Sequence, residues 1–126
     1  MPARTVARLA EAINRGDLDA AVALYEKDAV MVAQPGQLAR GTAEMRNALA
    51  GFIALKPALR MEAQRVVEAG DVALYLGRWS LRGTDPSGQP VAMSGESSDI
   101  LRRQNDGRWL IALDNPWGTQ ILPPKP

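Results

Sequence analysis

At Leu59 the hydrophobic period of this sequence changes, and that change constrains the fold more than any other feature. Before it, Val6, Leu9, Ala10 and Ile13 recur at helical spacing with Arg8, Glu11 and Arg15 opposite them, the pattern of an amphipathic helix. After it the period is two. Residues 59–69, 72–82, 91–104 and 109–116 are rich in Val, Leu, Ile, Trp and Tyr and read as strands. Gly70-Asp71, the loop 84–88 and Asn105-Asp106-Gly107-Arg108 join them, and each is too short for a parallel crossover. Helices followed by an antiparallel meander define an α+β chain.

The helical half has clear punctuation. The first helix stops at Asn14-Arg15-Gly16, where glycine supplies a left-handed cap. Asp17 caps a second helix whose inner face is Leu18, Ala21, Val22 and Tyr25, and Asp28 ends it. Residues 30–33 are β-prone, and Gln34-Pro35-Gly36 breaks them. A third helix starts at Thr42 and runs through Met45, Leu49, Phe52 and Ile53 to Lys56-Pro57. Residues 1–118 form one domain, and 119–126, rich in proline, an extended tail.

Composition removes several classes of function. With 15 Lys and Arg against 14 Asp and Glu there is no concentrated basic excess, so nucleic acid is not an expected partner. No apolar run has the ~18 residues of a membrane span, and Met1-Pro2-Ala3-Arg4 lacks a signal-peptide core, which points to a cytoplasmic protein. The chain has no cysteine and no histidine. Thiol nucleophiles, disulfides, Cys/His zinc sites and Ser-His-Asp triads are therefore unavailable. Acid–base work would fall to carboxylates, Tyr, Lys or water, with no metal or organic cofactor expected.

The last hairpin carries the candidate site. With Asp106-Gly107 at the tip of an even-numbered turn, paired residues sum to 213: Arg103 faces Leu110, Leu101 faces Ala112 and Asp99 faces Asp114. Two carboxylates side by side cost stability in a sheet, a cost consistent with a functional site. The other face of this hairpin, Ile100, Arg102, Trp109, Ile111 and Leu113, is then an outer apolar face suited to a homodimer.

The run Asn14-Arg15-Gly16-Asp17-Leu18-Asp19, then Ala23-Leu24-Tyr25-Glu26-Lys27-Asp28-Ala29-Val30, resembles the opening of the nuclear transport factor 2-like superfamily. Gly70-Asp71-Val72-Ala73-Leu74 with Gly77-Arg78-Trp79-Ser80 resembles its long central hairpin, and Ser98 through Gly118 its closing hairpin. Within the superfamily the chain is most similar to the SnoaL-like and ketosteroid isomerase-like branch. The resemblance implies a cone-shaped curved antiparallel sheet with about three N-terminal helices on its concave face, a pocket between them, and a homodimer. It places Asp99 where ketosteroid isomerases hold a protonated acid. Their general base would fall near Ala33-Gln34 and their oxyanion tyrosine near Leu9, neither of which carries that chemistry. The superfamily includes isomerases, cyclases, dehydratases, epoxide hydrolases and non-catalytic association domains.

Asp99 and Asp114 are the candidate catalytic pair, sharing a proton for acid–base chemistry; the competing reading pairs one of them with Arg103 or Arg78 in a structural cluster. Tyr25, Gln34, Trp79, Met93 and Trp117 are candidate ligand contacts, with Met31 and Met61 as further apolar wall. Gly95 reads as a β-bulge. The expected function is a small organic ligand bound in an apolar cone pocket, with isomerase-, cyclase- or dehydratase-type chemistry; the alternative is a non-catalytic association module. The first reading calls for a cavity of ~300 Å³ or more into which both aspartates face.

Overall fold

A computed structural model describes residues 1–125. Helix α1 (Pro2–Arg15) and the short α2 (Leu18–Val22) are followed by strands β1 (Tyr25–Gln34) and β2 (Gln37–Arg40) and helix α3 (Gly41–Ile53). Then come β3 (Ala58–Ala69), β4 (Val72–Thr84), β5 (Pro90–Arg103), β6 (Trp109–Asp114) and a single 3-10 turn at Gly118–Ile121. The six strands make one sheet in the order β2-β1-β6-β5-β4-β3. The α+β architecture is as the change of period implies, and the cone-like curved sheet holds the helices on its inner face.

Cap chemistry explains the helical boundaries. Gly16, at φ 74°, ends α1, and its N–H and that of Asp17 return to Ile13 and Ala12. The Asp17 carboxylate accepts from the Ala20 N–H at 3.0 Å and starts α2. The second helix is shorter than its apolar spacing suggests. It ends at Val22, and Tyr25 to Asp28 belong to β1, because Tyr25 pairs in parallel with Ile111 of β6. This parallel join, and the hairpin that Gln34-Pro35-Gly36 makes between β1 and β2, extend the four-strand meander to six strands. Residues 118–121 coil against β5 instead of trailing away; position 126 lies outside the described residues.

The β5–β6 hairpin differs from its expected register in an instructive way. Its turn is odd: the Gln104 N–H donates to the Arg108 carbonyl around a three-residue loop in which Gly107 takes φ 88°. Leu101 therefore pairs with Ile111 and Arg103 with Trp109, one step from the expected pairing. A one-residue slip moves side chains to the other face. So Trp109 and Ile111 are buried on the inner face, and are not part of the outer one. Between Leu101 and Ile100 the register shifts back, with Ala112 as the extra residue, and Ile100 pairs with Leu113. One residue further, Asp99 and Asp114 both return to the buried side.

Gly95 makes no bulge, since β4 and β5 pair without interruption from Val72 to Thr84. Its missing side chain instead makes room: a Cβ there would sit 2.8 Å from the Pro116 carbonyl and 3.0 Å from the Trp79 ring. The core fills the concave side, with Met31, Met45, Leu49, Tyr75, Leu101 and Ile111 almost wholly enclosed.

Candidate functional site

Burial forces the chemistry of the inner face. Asp99 and Asp114 keep only 5% and 7% of their surface exposed, and among the described residues neither meets a cation. Arg103 pairs with Asp71 at 2.5 Å and Arg78 with Glu96 at 3.4 Å, so the expected arginine partners are engaged elsewhere. The pair is held by neutral donors. The Tyr25 hydroxyl donates to Asp114 Oδ2 at 2.5 Å, and the Asn115 N–H to Asp99 Oδ1 at 2.8 Å. The two carboxyl groups also act on each other: the charge of Asp114 disfavours ionisation of Asp99 in this buried setting.

Titration behaviour follows from that enclosure. Burial, the neighbouring Asp114 charge and the bond to Asp114 push the Asp99 carboxyl well above the usual aspartate range. Burial raises Asp114 as well, while its bonds from Tyr25 and Asp99 hold it down. Tyr25 is driven far above an ordinary phenol by burial and by the Asp114 charge, so it stays a donor. Tyr75, opposite Asp99 on β4, is pushed up to about 12 by burial and by the Asp99 charge.

A cavity abuts this cluster. Its walls come from α1 (Leu9, Ile13), β1 (Tyr25, Met31), α3 (Leu49, Phe52), β3 (Leu59, Met61) and β4 (Trp79, Leu81). Ser97, Asp114 and Pro116 complete it. The lining is almost wholly apolar, with no Lys or Arg in it. The volume of this half-open cavity is about 80 Å³, well short of the ~300 Å³ expected of a drug-sized pocket. Asp114 lines this space, whereas Asp99 does not.

The other sequence candidates separate. Tyr25, Trp79, Met31 and Met61 line the cavity. Trp117 stands one layer out: it packs edge-on against Trp79 with ring centres 5.5 Å apart, and its indole N–H donates to the Val32 and Ala33 carbonyls. Gln34 is exposed at the β1–β2 turn, and Met93, opposite Leu81 near the far end of β5, does not reach the wall. Ser97 and the Asn115 N–H are the site groups that sequence reasoning misses. Residue type gives Ser97 no signal, and the Asn115 contact depends on the Ala112 bulge. Among the described residues no group of three or more acidic, Cys or His side chains is placed to hold a metal.

The SnoaL-like domain family model matches residues 6–111, and this chain belongs to that family. A nuclear transport factor 2-like superfamily protein from Salmonella enterica serovar Typhimurium superposes with a TM-score of 0.80 at 17% identity, covering 89% of this chain and 84% of that one. A ketosteroid isomerase candidate from Shewanella frigidimarina gives 0.79 at 17% identity, over 90% and 92%. The association domain of Caenorhabditis elegans CaMKII gives 0.71 at 19% identity, over 90% and 89%. At these identities the likeness is one of fold alone. No curated protein matches the sequence.

Proposed function

We propose that the chain binds a small, uncharged, largely apolar organic molecule in the cone and performs cofactor-free acid–base chemistry on it, with Asp114 as the group that meets the ligand. One observation supports this reading: Asp114, one of two neighbouring buried carboxyl groups with no cation partner among the described residues, lines an almost wholly apolar cavity. Ionising such a pair fully is costly in low dielectric, so it exchanges one proton readily and resists carrying two charges. Asp114 takes or gives the proton at the ligand, Asp99 holds the complementary one, and Tyr25 steadies the Asp114 carboxylate in between. Proton transfer beside a carbonyl, as in an isomerase, cyclase or dehydratase step, is the reaction class this suits.

The test is hydrogen–deuterium exchange at the carbon beside the carbonyl of cyclopentanone, followed by proton NMR in deuterated buffer. Exchange above the buffer rate that is lost in Asp114→Asn supports the reading. Saturable binding with no exchange reduces it to a binding domain, and no binding removes it.

A second reading, a homodimeric association module, is favoured by a separate observation. Val67, Val72, Leu76 and Leu113 are each more than a third exposed, and all lie on the outer sheet face with Ile100 beside them. Ile121, on the turn that follows β6, borders the same groove. An apolar face of this extent suits a second copy of the chain. Arg102 sits at its margin, bonded to Glu26. Sedimentation equilibrium that gives a dimer in the native chain and a monomer in Leu76→Asp supports it; a native monomer rejects it.

A further inference from the structure

The small size of the cavity has a specific origin. Most of its lining is fixed: Leu9, Tyr25, Met31, Leu49 and Trp79 are buried, and Trp79 is clamped by its indole bond to the Pro116 carbonyl at 2.8 Å. Phe52 of α3, with Leu59 and Met61 of β3, is only partly buried, so these lining side chains border solvent. The backbone that carries them is pinned at two points. The Asn14 side chain accepts from the Leu59 N–H at 2.7 Å and donates to the Leu59 carbonyl at 2.9 Å, as a neighbouring strand would. The Leu55 carbonyl accepts from the Thr84 N–H at 2.7 Å, packed so closely on Gly83 that a Cβ there would come within 2.5 Å of it. With α1 and β4 holding both ends of the α3–β3 connection, a loop cannot swing aside. Whatever widens the cavity must be a side chain.

Leu59 is the wrong candidate, because its own backbone is the pinned one. Phe52 turns about one helical position, and Met61, opposite Trp79, has three rotatable bonds and no polar anchor. We infer that Phe52 and Met61 form a side-chain gate that sets the largest ligand the site accepts. This rests on the ligand-binding reading above and adds to it the residues that determine specificity. With both in place, a five- or six-membered ring is the largest body admitted; with either shortened, a fused two-ring body enters.

Cyclopentanone, cyclohexanone and 2-tetralone, titrated against the native chain, Met61→Ala, Phe52→Leu and the space-filling Met61→Trp, provide the test. Tryptophan fluorescence, to which Trp79 in the cavity wall contributes, and thermal shift report binding. The native chain is expected to bind the single rings and to discriminate against 2-tetralone, and the shortened variants to bind 2-tetralone ~10-fold or more tightly than the native chain does. Met61→Trp should lose cyclohexanone. If both shortened variants keep native near-ultraviolet circular dichroism and the native size limit, the gate is wrong and the ligand-binding reading stands. Native binding of 2-tetralone as tight as that of cyclopentanone also removes the gate. No binding of any ketone to any variant overturns the ligand-binding reading and the gate with it.

Discussion

The Tyr25 hydroxyl donates to Asp114 Oδ2 at 2.5 Å, joining the first strand of the sheet to the last across 89 residues of chain. Both groups are buried, and the phenol is the donor that steadies Asp114 as an anion. Tyr25→Phe keeps the ring and removes the donor. Leaving a buried carboxylate short of a partner costs about 1–3 kcal/mol. The loss should be largest near pH 8, where the pair carries charge, and smaller near pH 4. Urea denaturation at the two pH values measures it, and equal stability to the native chain at pH 8 would show that the bond contributes nothing.

The carboxyl pair makes stability depend on pH with a definite sign. Both aspartates are raised above their ordinary value of 3.8, Asp99 the more strongly. Above that value the folded chain holds protons that the unfolded chain has released, so stability is greatest at or below it and falls as pH climbs toward the raised folded values. Asp99→Asn removes one ionisation while keeping an amide oxygen for the Asn115 N–H and an amide donor for Asp114. It should be more stable than the native chain by about 1–2 kcal/mol at pH 8, with the difference shrinking toward pH 4. Urea midpoints across that range test the slope; destabilisation at every pH would mean the pair is a structural clasp.

Two glycines separate the effect of space from that of backbone freedom. Gly95→Ala places a methyl group against the Pro116 carbonyl and the Trp79 ring, both fixed by the same indole bond. Overpacking of this kind costs about 1–3 kcal/mol and should alter the near-ultraviolet signal of Trp79. Gly51 lies inside α3, where an added methyl group would meet nothing within 4 Å, so Gly51→Ala should stabilise by about 0.5–1 kcal/mol. Thermal denaturation of the two variants beside the native chain gives the comparison, and equal effects would reject it.

Much of the architecture is legible in the sequence because local chemistry and tertiary packing agree. Gly16 and Asp17 punctuate the helices as their residue types demand, and the period of two after Leu59 holds through β4 and β5 and is interrupted in β3 by one irregularity between Met61 and Ala63. Where the reading fails, a distant partner decides. Tyr25 follows Leu18, Ala21 and Val22 at helical spacing, yet Ile111 draws it into a strand, and no local signal announces a partner 86 residues away. An even turn would bring Asp99 beside Asp114, but the turn is odd and a bulge at Ala112 restores the pairing. The two departures cancel. Trp109 and Ile111 lie between them, so their face is the reverse of the expected one while that of the aspartates is not. Residue type alone points to Gln34 and Met93, without a register to aim them.

That cancellation makes the two ends of β6 separable by deletion. Ala112 is the extra residue, so removing it leaves Ile111, Leu113 and Asp114 in simple alternation: Ile111 still inward beside Leu101, Leu113 outward beside Ile100, and Asp114 inward. What is lost is a local bend. Removing Leu110 instead brings Trp109 next to Ile111, and two neighbours in a strand cannot both face inward. Trp109 would leave the core, with its packing under α1 and its contact with Arg103, whose guanidinium stands 5.8 Å from the ring centre. Expelling a buried aromatic of this size costs about 3–5 kcal/mol. The chain without Ala112 should therefore fold cooperatively and remain the more stable of the two, while the chain without Leu110 loses its near-ultraviolet tryptophan signal or fails to fold. Urea denaturation followed by circular dichroism decides between them. If the Ala112 deletion proves as damaging as the Leu110 deletion, the bend at Ala112 is itself required for the hairpin to pack.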